Sequence, residues 1–182
     1  MRYADPTPVA SPEEFVRVVI QQLNRVRKMA RLPEVTLAAA ESASATKLAP
    51  YYFSAAFGGG DPKQADLIAL GLLAGWDVGG MIRGASLMSS LTPTLDAGRW
   101  LTAALETPVG RYTLLAPDIE QIACGPMVLD QASAIGAVVT GYRFHHGIDH
   151  TGDVNMLLNR VVQTRRRMVF PPRSGSAPSP RP

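Results

Sequence analysis

The histidines are the first candidates for chemistry, because all three in the chain fall within six residues: His145, His146 and His150. Imidazoles that converge on one point bind a divalent metal. On a helix, His146 and His150 would share one face at a spacing of four residues. Gly147 and Gly152 favour a loop instead. The segment therefore predicts a metal site, a pH-sensitive contact or a solvated loop, and the sequence leaves these three alternatives open.

Two candidate nucleophiles have less support from their surroundings. Ser44 and Lys47 match the Ser-x-x-Lys pattern of serine acyl enzymes, but the Ser-Asp-Asn and Lys-Thr-Gly motifs of those enzymes are absent. Cys124 is the only cysteine, which excludes an intramolecular disulfide. It lies in the apolar run 119–128, where no neighbour lowers a thiol pKa, so we expect it to be a small buried side chain.

The charge of the chain is unevenly distributed. The 182 residues have a net charge of +3, and 46% of them are apolar, which suits one domain with a real core. From Arg160 onward there are six arginines and no acid, whereas 12 basic and 15 acidic residues precede it, a net of −3. The basic C-terminal end could bind an anionic partner. It has no series of aromatic residues on which bases could stack and no recognition helix, so nucleic acid is not the expected partner. No apolar run is long enough for a transmembrane segment.

Helical signals dominate the first two thirds of the chain. Residues 1–10 predict a loose arm without the apolar stretch of a signal peptide. Ser11-Pro12-Glu13-Glu14 then starts a helix that Leu32-Pro33 ends. The basic side chains of this helix are expected to form a solvated face: Arg17, Arg25, Arg27, Lys28 and Arg31. A second helix is predicted over residues 36–49 and is ended by Pro50. A third is predicted over residues 61–75, with Leu67, Leu70 and Leu73, and a fourth begins at Thr92-Pro93.

Strand signals follow the helical part. Residues 76–83 predict a short strand or turn, and residues 119–128 and 134–144 predict an antiparallel pair with a turn at 130–133. Residues 153–168 return to helical spacing, and 171–182 contain five prolines and form a linker or tail. Helices followed by antiparallel strands indicate an α+β layered domain. The predicted organisation is an arm (1–10), one domain (11–152), an additional amphipathic helix (153–170) and a proline-rich tail (171–182).

Several short motifs occur in a fixed order within residues 11–144: Leu23-Asn24-Arg25-Val26-Arg27, Leu32-Pro33, Tyr52-Phe53-Ser54, Gly79-Gly80-Met81-Ile82, Trp100, Thr107-Pro108-Val109-Gly110-Arg111 with the following residues to Pro117, and Ile122-Ala123-Cys124-Gly125. This order resembles a bacterial CAP domain, of the cysteine-rich secretory, antigen 5 and pathogenesis-related-1 superfamily. The resemblance implies an α-β-α sandwich with an antiparallel sheet, to which the C-terminal helix would be an addition. It also implies an extracytoplasmic or secreted location.

The resemblance further implies a cleft in which two histidines and two glutamates can hold a divalent ion. Three motifs of the family align with segments of this chain: Phe-Ser-His, Gly-Glu-Asn-Ile and Ser-Pro-Gly-His-Arg. At the functional positions of these motifs, this chain has Ala55, Gly80 and Gly110. Alanine and glycine supply neither a ligand nor a proton donor. We therefore expect a degenerate cleft, no cofactor and no assignable catalytic residue.

A short repeat marks the C-terminal helix, because Leu23-Asn24-Arg25-Val26 recurs as Leu158-Asn159-Arg160-Val161. The second copy lies in an apolar stripe that is too large to remain in water, so we expect it to pack on its own domain or on another chain. The stripe consists of Val154, Leu157, Leu158, Val161 and Val162.

The sequence thus predicts a CAP-like domain that binds rather than catalyses. Its partner would be a protein, including a second copy of the chain, or an apolar ligand such as a lipid in a groove beside the first helix. A hydrolase or metal-dependent enzyme with a non-standard site is one alternative. Binding of an anionic partner through the arginine-rich C-terminal segment is the other.

Overall fold

The computed structural model describes residues 3–56, 61–75, 78, 80–129 and 134–146, with the side chains of residues 54–56 excepted. By its internal contacts the chain divides into two units, Met1–His145 and His146–Pro182, so the described structure belongs almost entirely to the first. The predicted turn at 130–133, His150, the apolar stripe, the arginine-rich end and the proline-rich tail lie outside the described residues. The predicted boundary after residue 152 lies there too and stays a prediction.

Five helices and four strands are described, and the strands form one mixed sheet in the order β1-β3-β4-β2. The elements are α1 (Pro12–Met29), β1 (Thr36–Leu37), α2 (Ala39–Ala56), α3 (Pro62–Ala74), β2 (Ile82–Thr92), α4 (Ala97–Glu106), α5 (Pro108–Leu115), β3 (Gln121–Leu129) and β4 (Ala134–Phe144). The predicted antiparallel pairing of β3 with β4 is confirmed, and β2 pairs antiparallel with the other side of β4. The short β1 adds a parallel edge strand.

The start of α1 follows the predicted capping pattern. The Ser11 hydroxyl accepts a hydrogen bond from the Glu14 amide, and the Glu14 carboxylate accepts one from the Ala10 amide. Pro12 occupies the first turn, where its missing N–H removes no helical hydrogen bond. Apolar residues at helical spacing then face the sheet, which confirms the amphipathic helix predicted from the sequence.

Three predicted boundaries are wrong. The helix expected to end at Pro50 continues to Ala56, because Leu48, Ala49 and Phe53 are buried on both sides of the exposed proline and outweigh its cost. Residues 36–37 form β1 rather than the start of that helix. Residues 82–92 form one long strand, so α4 begins at Ala97 with Asp96 as its cap rather than at Thr92-Pro93.

The N-terminal arm is not loose. The Asp96 carboxylate accepts a hydrogen bond from the Thr7 amide at 2.8 Å, while the amide of Val9 donates to the Leu95 carbonyl at 3.0 Å. Ala4 and Val9 are buried against the domain. The contacts of these residues with distant segments could not be predicted from residues 1–10, because that segment contains two prolines and its apolar residues have neither helical nor strand spacing.

Helices cover both faces of the sheet, which confirms the predicted α-β-α layers. On one face, which we call the α1 face, α1, α4 and α5 bury a core that includes Phe15, Leu23 and Trp100, with the Phe15 and Trp100 rings edge to face at 5.4 Å. On the other, the α2 face, α2 and α3 bury smaller side chains such as Ala45 and Ala49 together with Leu72 and Tyr142.

Candidate binding grooves and the cleft positions

The predicted histidine cluster is only partly described. His145 and His146 are exposed at the end of β4, and the His145 amide donates a hydrogen bond to the Met81 carbonyl. His150 lies outside the described residues. Within the part of the chain that the structure describes, no group of three or more His, Cys, Asp or Glu side chains could hold a metal ion. A site that includes His150 therefore stays a prediction.

Phe53, which lies near the expected cleft position 55, and the expected cleft position Gly80 contact opposite ends of β4. Phe53, two residues before Ala55, packs over Gly136, where an added Cβ would lie 2.6 Å from the Phe53 ring. Gly80 has φ +122°, a conformation that L side chains rarely adopt, and an added Cβ would lie 3.1 Å from Phe144. Phe144 lies eight positions after Gly136, which corresponds to about 26 Å of extended strand. The structure therefore does not bring Phe53 and Gly80 to one point.

Gly110 belongs to the α1 face. It is buried in the first turn of α5, where its amide donates to the Thr107 hydroxyl at 2.9 Å. An added Cβ would overlap the carbonyl oxygen of Ala104 at the end of α4. With this backbone, position 110 has no space for an imidazole. A side chain such as histidine would force α4 and α5 apart.

Arg143, near the end of β4, is buried and fully engaged. Its guanidinium donates to the Asp118 carboxylate at 3.2 Å, to the Ser86 hydroxyl at 3.3 Å and to the Tyr112 carbonyl at 3.3 Å. It also lies 4.5 Å from the centroid of the Tyr112 ring, a cation–π distance. Arg83 binds the same aspartate. These contacts fasten α5 to the sheet and leave Arg143 with little capacity for an outside anion.

A groove of about 310 Å³ lies between α1 and α2, at the sheet edge where β1 ends. We call it the α1–α2 groove. It is lined by Pro12, Glu13, Val16, Leu37, Ser42, Ala43, Thr46, Cys124 and Pro126. Its position agrees with the groove beside the first helix that the sequence led us to expect.

The hydroxyls of the α1–α2 groove are already bonded to the backbone. Ser42 Oγ accepts from the Cys124 amide at 3.0 Å and donates to the Ala38 carbonyl at 2.8 Å. Thr46 Oγ1 donates to the Ser42 carbonyl at 2.9 Å. Burial raises the pKa of the Cys124 thiol to about 12, so the thiol is neutral and is no nucleophile at neutral pH. Apart from Glu13, the groove walls therefore offer a ligand apolar surface and hydroxyl groups whose protons are already donated to the backbone.

The charge at the groove comes from Glu13. Its own backbone N–H and then the Ser11 hydroxyl lower the pKa of its carboxyl group, so the carboxylate remains ionised near neutral pH. Glu13 is exposed to water. A negative charge at this position favours a ligand whose polar end is neutral or cationic.

A second groove, of about 250 Å³, separates α2 from α3 and is called the α2–α3 groove. Ser44 and Lys47, the residues of the Ser-x-x-Lys pattern, lie on its α2 wall together with Glu41. The α3 wall is apolar and consists of Leu67, Ile68, Gly71 and Leu72.

Comparisons with known proteins identify the fold. No protein-family model matches the sequence, and no curated protein does either. Among solved structures, an outer surface protein from Borrelia burgdorferi aligns with 78% of this chain and 99% of its own, at 14% identity and a TM-score of 0.55. A cysteine-rich secretory protein from Staphylococcus aureus aligns with 75% of this chain and 40% of its own, at 11% identity and a TM-score of 0.51. The chain has a CAP-like fold.

A third structure, MpPR-1i, aligns with 79% of this chain and 96% of its own, at 16% identity and a TM-score of 0.45. All of these identities are low, so the likeness concerns the fold of the CAP-like domain and not its activity. Among the described helices, none is long and apolar enough to cross a membrane.

Several groove residues were not singled out in the sequence. Ala43, Thr46 and Pro126 come together only because β3 passes between α1 and α2, and nothing in the local pattern marks them. The exposed leucines of α3 had a usable signal, since residues 67–75 are uncharged and apolar at positions all around the helix.

Proposed function

We propose that this CAP-like domain binds and does not catalyse, and that its ligand is an apolar chain held in the α1–α2 groove. The observation that carries the proposal is that the hydroxyls of Ser42 and Thr46 are already bonded within the protein. An apolar ligand would therefore leave no groove hydroxyl without a partner. Gly110, which has no space for an imidazole, supports a binding role over acid–base catalysis at the expected cleft.

The size and charge of the groove narrow the class of ligand. Its volume of about 310 Å³ is at the low end for small-molecule sites, which suits one acyl chain or one or two apolar side chains. The carboxylate of Glu13 would repel a fatty-acid headgroup. We therefore propose a ligand with an uncharged polar end, such as a long-chain alcohol or a monoacylglycerol.

Binding of the neutral apolar dye Nile red, followed by fluorescence, tests this proposal. Ala43→Trp fills the groove, whereas Ala40→Trp places the same side chain on the first turn of α2, outside the groove lining. We expect dye binding to be lost in Ala43→Trp and retained in Ala40→Trp, and a monoacylglycerol to displace the dye from the wild type. Unchanged dye binding by a folded Ala43→Trp variant would contradict the proposal.

Glu13→Gln provides a second test, of headgroup selection. Without the carboxylate, a fatty acid should compete for the groove as well as the matching alcohol does. If the fatty acid already binds the wild type equally well, the assignment of an uncharged headgroup is wrong, while the groove itself is still tested by Ala43→Trp.

A protein contact through the C-terminal stripe stays a proposal based on sequence. Limited proteolysis of the full chain tests it, because a stripe packed on another surface is protected from cleavage. Rapid cleavage within residues 153–168 of a monomeric protein would contradict it.

A further inference from the structure

The outer face of α3 is apolar although it is exposed. Leu67 is 68% exposed, Leu70 is 62% exposed and Leu73 is 38% exposed, whereas Leu72 on the inner face is 1% exposed. The three exposed leucines recur every three residues, so they form one stripe along the helix. We call this stripe, with the adjacent α2–α3 groove, the α3 face.

The exposed leucines are not explained by an amphipathic helix, because such a helix would be polar on its outer face. Residues 67–75 contain no charged side chain, so α3 is apolar towards the sheet and apolar towards water. A helix that is apolar all round is typically covered on both sides. Contiguous exposed leucines on a domain of this size mark a contact surface.

The α3 face also carries two bases, Lys47 and Lys63, and two acids, Asp66 and the buried Glu41. Lys47 is exposed on the α2 side of the groove, and Asp66 is exposed on α3 beside Leu67. Neither forms a salt bridge with another of the described residues. Burial and then the charge of Asp66 raise the pKa of Tyr52.

A second copy of the chain is the partner that matches every part of this surface. Two identical faces related by a two-fold axis offer each other the same apolar stripe, the same groove, the same two acids and the same two bases. An anionic membrane would match Lys47 and the leucines, but it would be repelled by Asp66. Two acids and two bases leave the α3 face without a net charge, which favours self-association over binding to an anionic membrane.

We infer that the chain forms a two-fold dimer through the α3 face, with Leu67 and Leu70 of each copy in the α2–α3 groove of the other and Asp66 of each copy opposite Lys47 of its partner. This inference is independent of the α1–α2 groove, which lies at the other edge of α2, so either proposal can fail without the other.

Sedimentation equilibrium of the full chain, over a range from low to high micromolar concentration, tests the inference. We expect a monomer–dimer equilibrium whose dissociation constant rises by roughly 30-fold or more in Leu70→Glu, the size of effect seen when a central contact residue is lost. Val109→Glu is the matched control, because Val109 is 55% exposed on α5 and lies outside the α3 face. It should leave the equilibrium unchanged.

Charge reversal provides a test that does not depend on hydrophobic surface. Asp66→Lys and Lys47→Asp should each weaken the dimer, and the double variant should restore it. Circular dichroism confirms that each variant is folded. A wild type that stays monomeric, a dimer that survives Leu70→Glu, or a double variant no stronger than the single ones would overturn the inference.

Two other occupants would also appear in these experiments. If a monomeric wild type binds phosphatidylglycerol vesicles and Leu70→Glu does not, the α3 face is a lipid surface and the dimer is wrong. If Leu158→Glu abolishes the dimer while Leu70→Glu leaves it intact, the contact lies in the C-terminal stripe instead.

Discussion

The two faces of the sheet are covered in different ways. On the α1 face, large side chains such as Phe15, Leu23 and Trp100 fill the space between helices and strands. On the α2 face, the backbone of α2 approaches the sheet so closely that an added Cβ at Gly125 would overlap the backbone of Ala45 and Thr46. Large side chains thus fill most of the α1 face, although α5 also approaches β4 closely at Gly141, whereas α2 contacts β3 directly through its backbone.

A buried arginine completes the α1 face. The Arg27 guanidinium donates hydrogen bonds to the carbonyls of Pro33 and Leu114, both at 2.7 Å, and to those of Ala116 and Ile119, both at 3.2 Å. Burial lowers the pKa of Arg27, and the charge of Asp118 opposes that effect. This residue connects α1 to the end of α5 and to the start of β3.

The difference between the two faces of the sheet indicates where a ligand or a partner would bind. On the α1 face, the buried guanidinium groups of Arg27 and Arg143 fix the helices to the sheet, which suits a scaffold. The α2 face leaves the outer side of α3 uncovered, and α2 borders both grooves. The binding surfaces that we propose therefore surround the helix held by backbone contact.

Loss of Arg27 should give the largest effect. Arg27→Met leaves four carbonyls of the α1 face without their donor, and we expect the free energy of unfolding to fall by about 3–5 kcal/mol. Urea denaturation measures it. Arg25→Met, at an exposed position of the same helix, is the control and should change stability by less than about 0.5 kcal/mol. If the free energy of unfolding fell by a similar amount in both variants, the hydrogen bonds from Arg27 to the carbonyls would not account for the loss of stability.

The close approach on the α2 face should give a smaller effect. Gly125→Ala forces α2 away from β3, so we expect a loss of about 1–3 kcal/mol. The matched substitution is Gly84→Ala in β2, where an added Cβ has no heavy atom within 4 Å. That variant should be neutral, and equal losses at the two glycines would contradict the difference between the faces.

The smallest effect should come from Cys124, which faces the α1 core. Cys124→Ala removes one buried sulfur and should cost about 1 kcal/mol at neutral pH. The raised pKa of this thiol in the folded protein, about 12 against 9.0, means that its contribution is complete below pH 9 and is lost as the pH rises towards 12.

Urea denaturation of both proteins at neutral pH and near pH 10 checks this sign. Relative to Cys124→Ala, the wild type should lose roughly 1.4 kcal/mol of stability between neutral pH and pH 10, so the variant becomes the more stable protein. A difference that grows with pH would mean that the folded protein stabilises the thiolate.

Parts of the fold could be predicted because their signals are local. The capping residues Ser11 and Glu14 and the apolar spacing of α1 act within a few residues of each other, and so do the apolar runs of β3 and β4. The burial of Cys124 followed from the run around it. The order of short motifs was enough to predict the CAP-like layers.

Other parts could not be predicted, because their causes are distant in sequence. Arg27 was expected on a solvated face, yet it is buried by carbonyls up to 92 residues away. Pro50 lies inside α2 because the flanking residues pack on the sheet, and β2 is held by β4, more than 40 residues later.

Local residue patterns were enough to predict most helices and strands, the buried thiol of Cys124 and the lack of imidazole and carboxylate side chains at Ala55, Gly80 and Gly110. The packing of distant segments was needed to show which leucines of α3 face water, which residues line the α1–α2 groove, and that Gly110 has no space for a larger side chain. Local patterns specify how a segment folds. Which face of a segment is buried depends on how it packs against other segments, because the residues that cover it are distant from it in sequence.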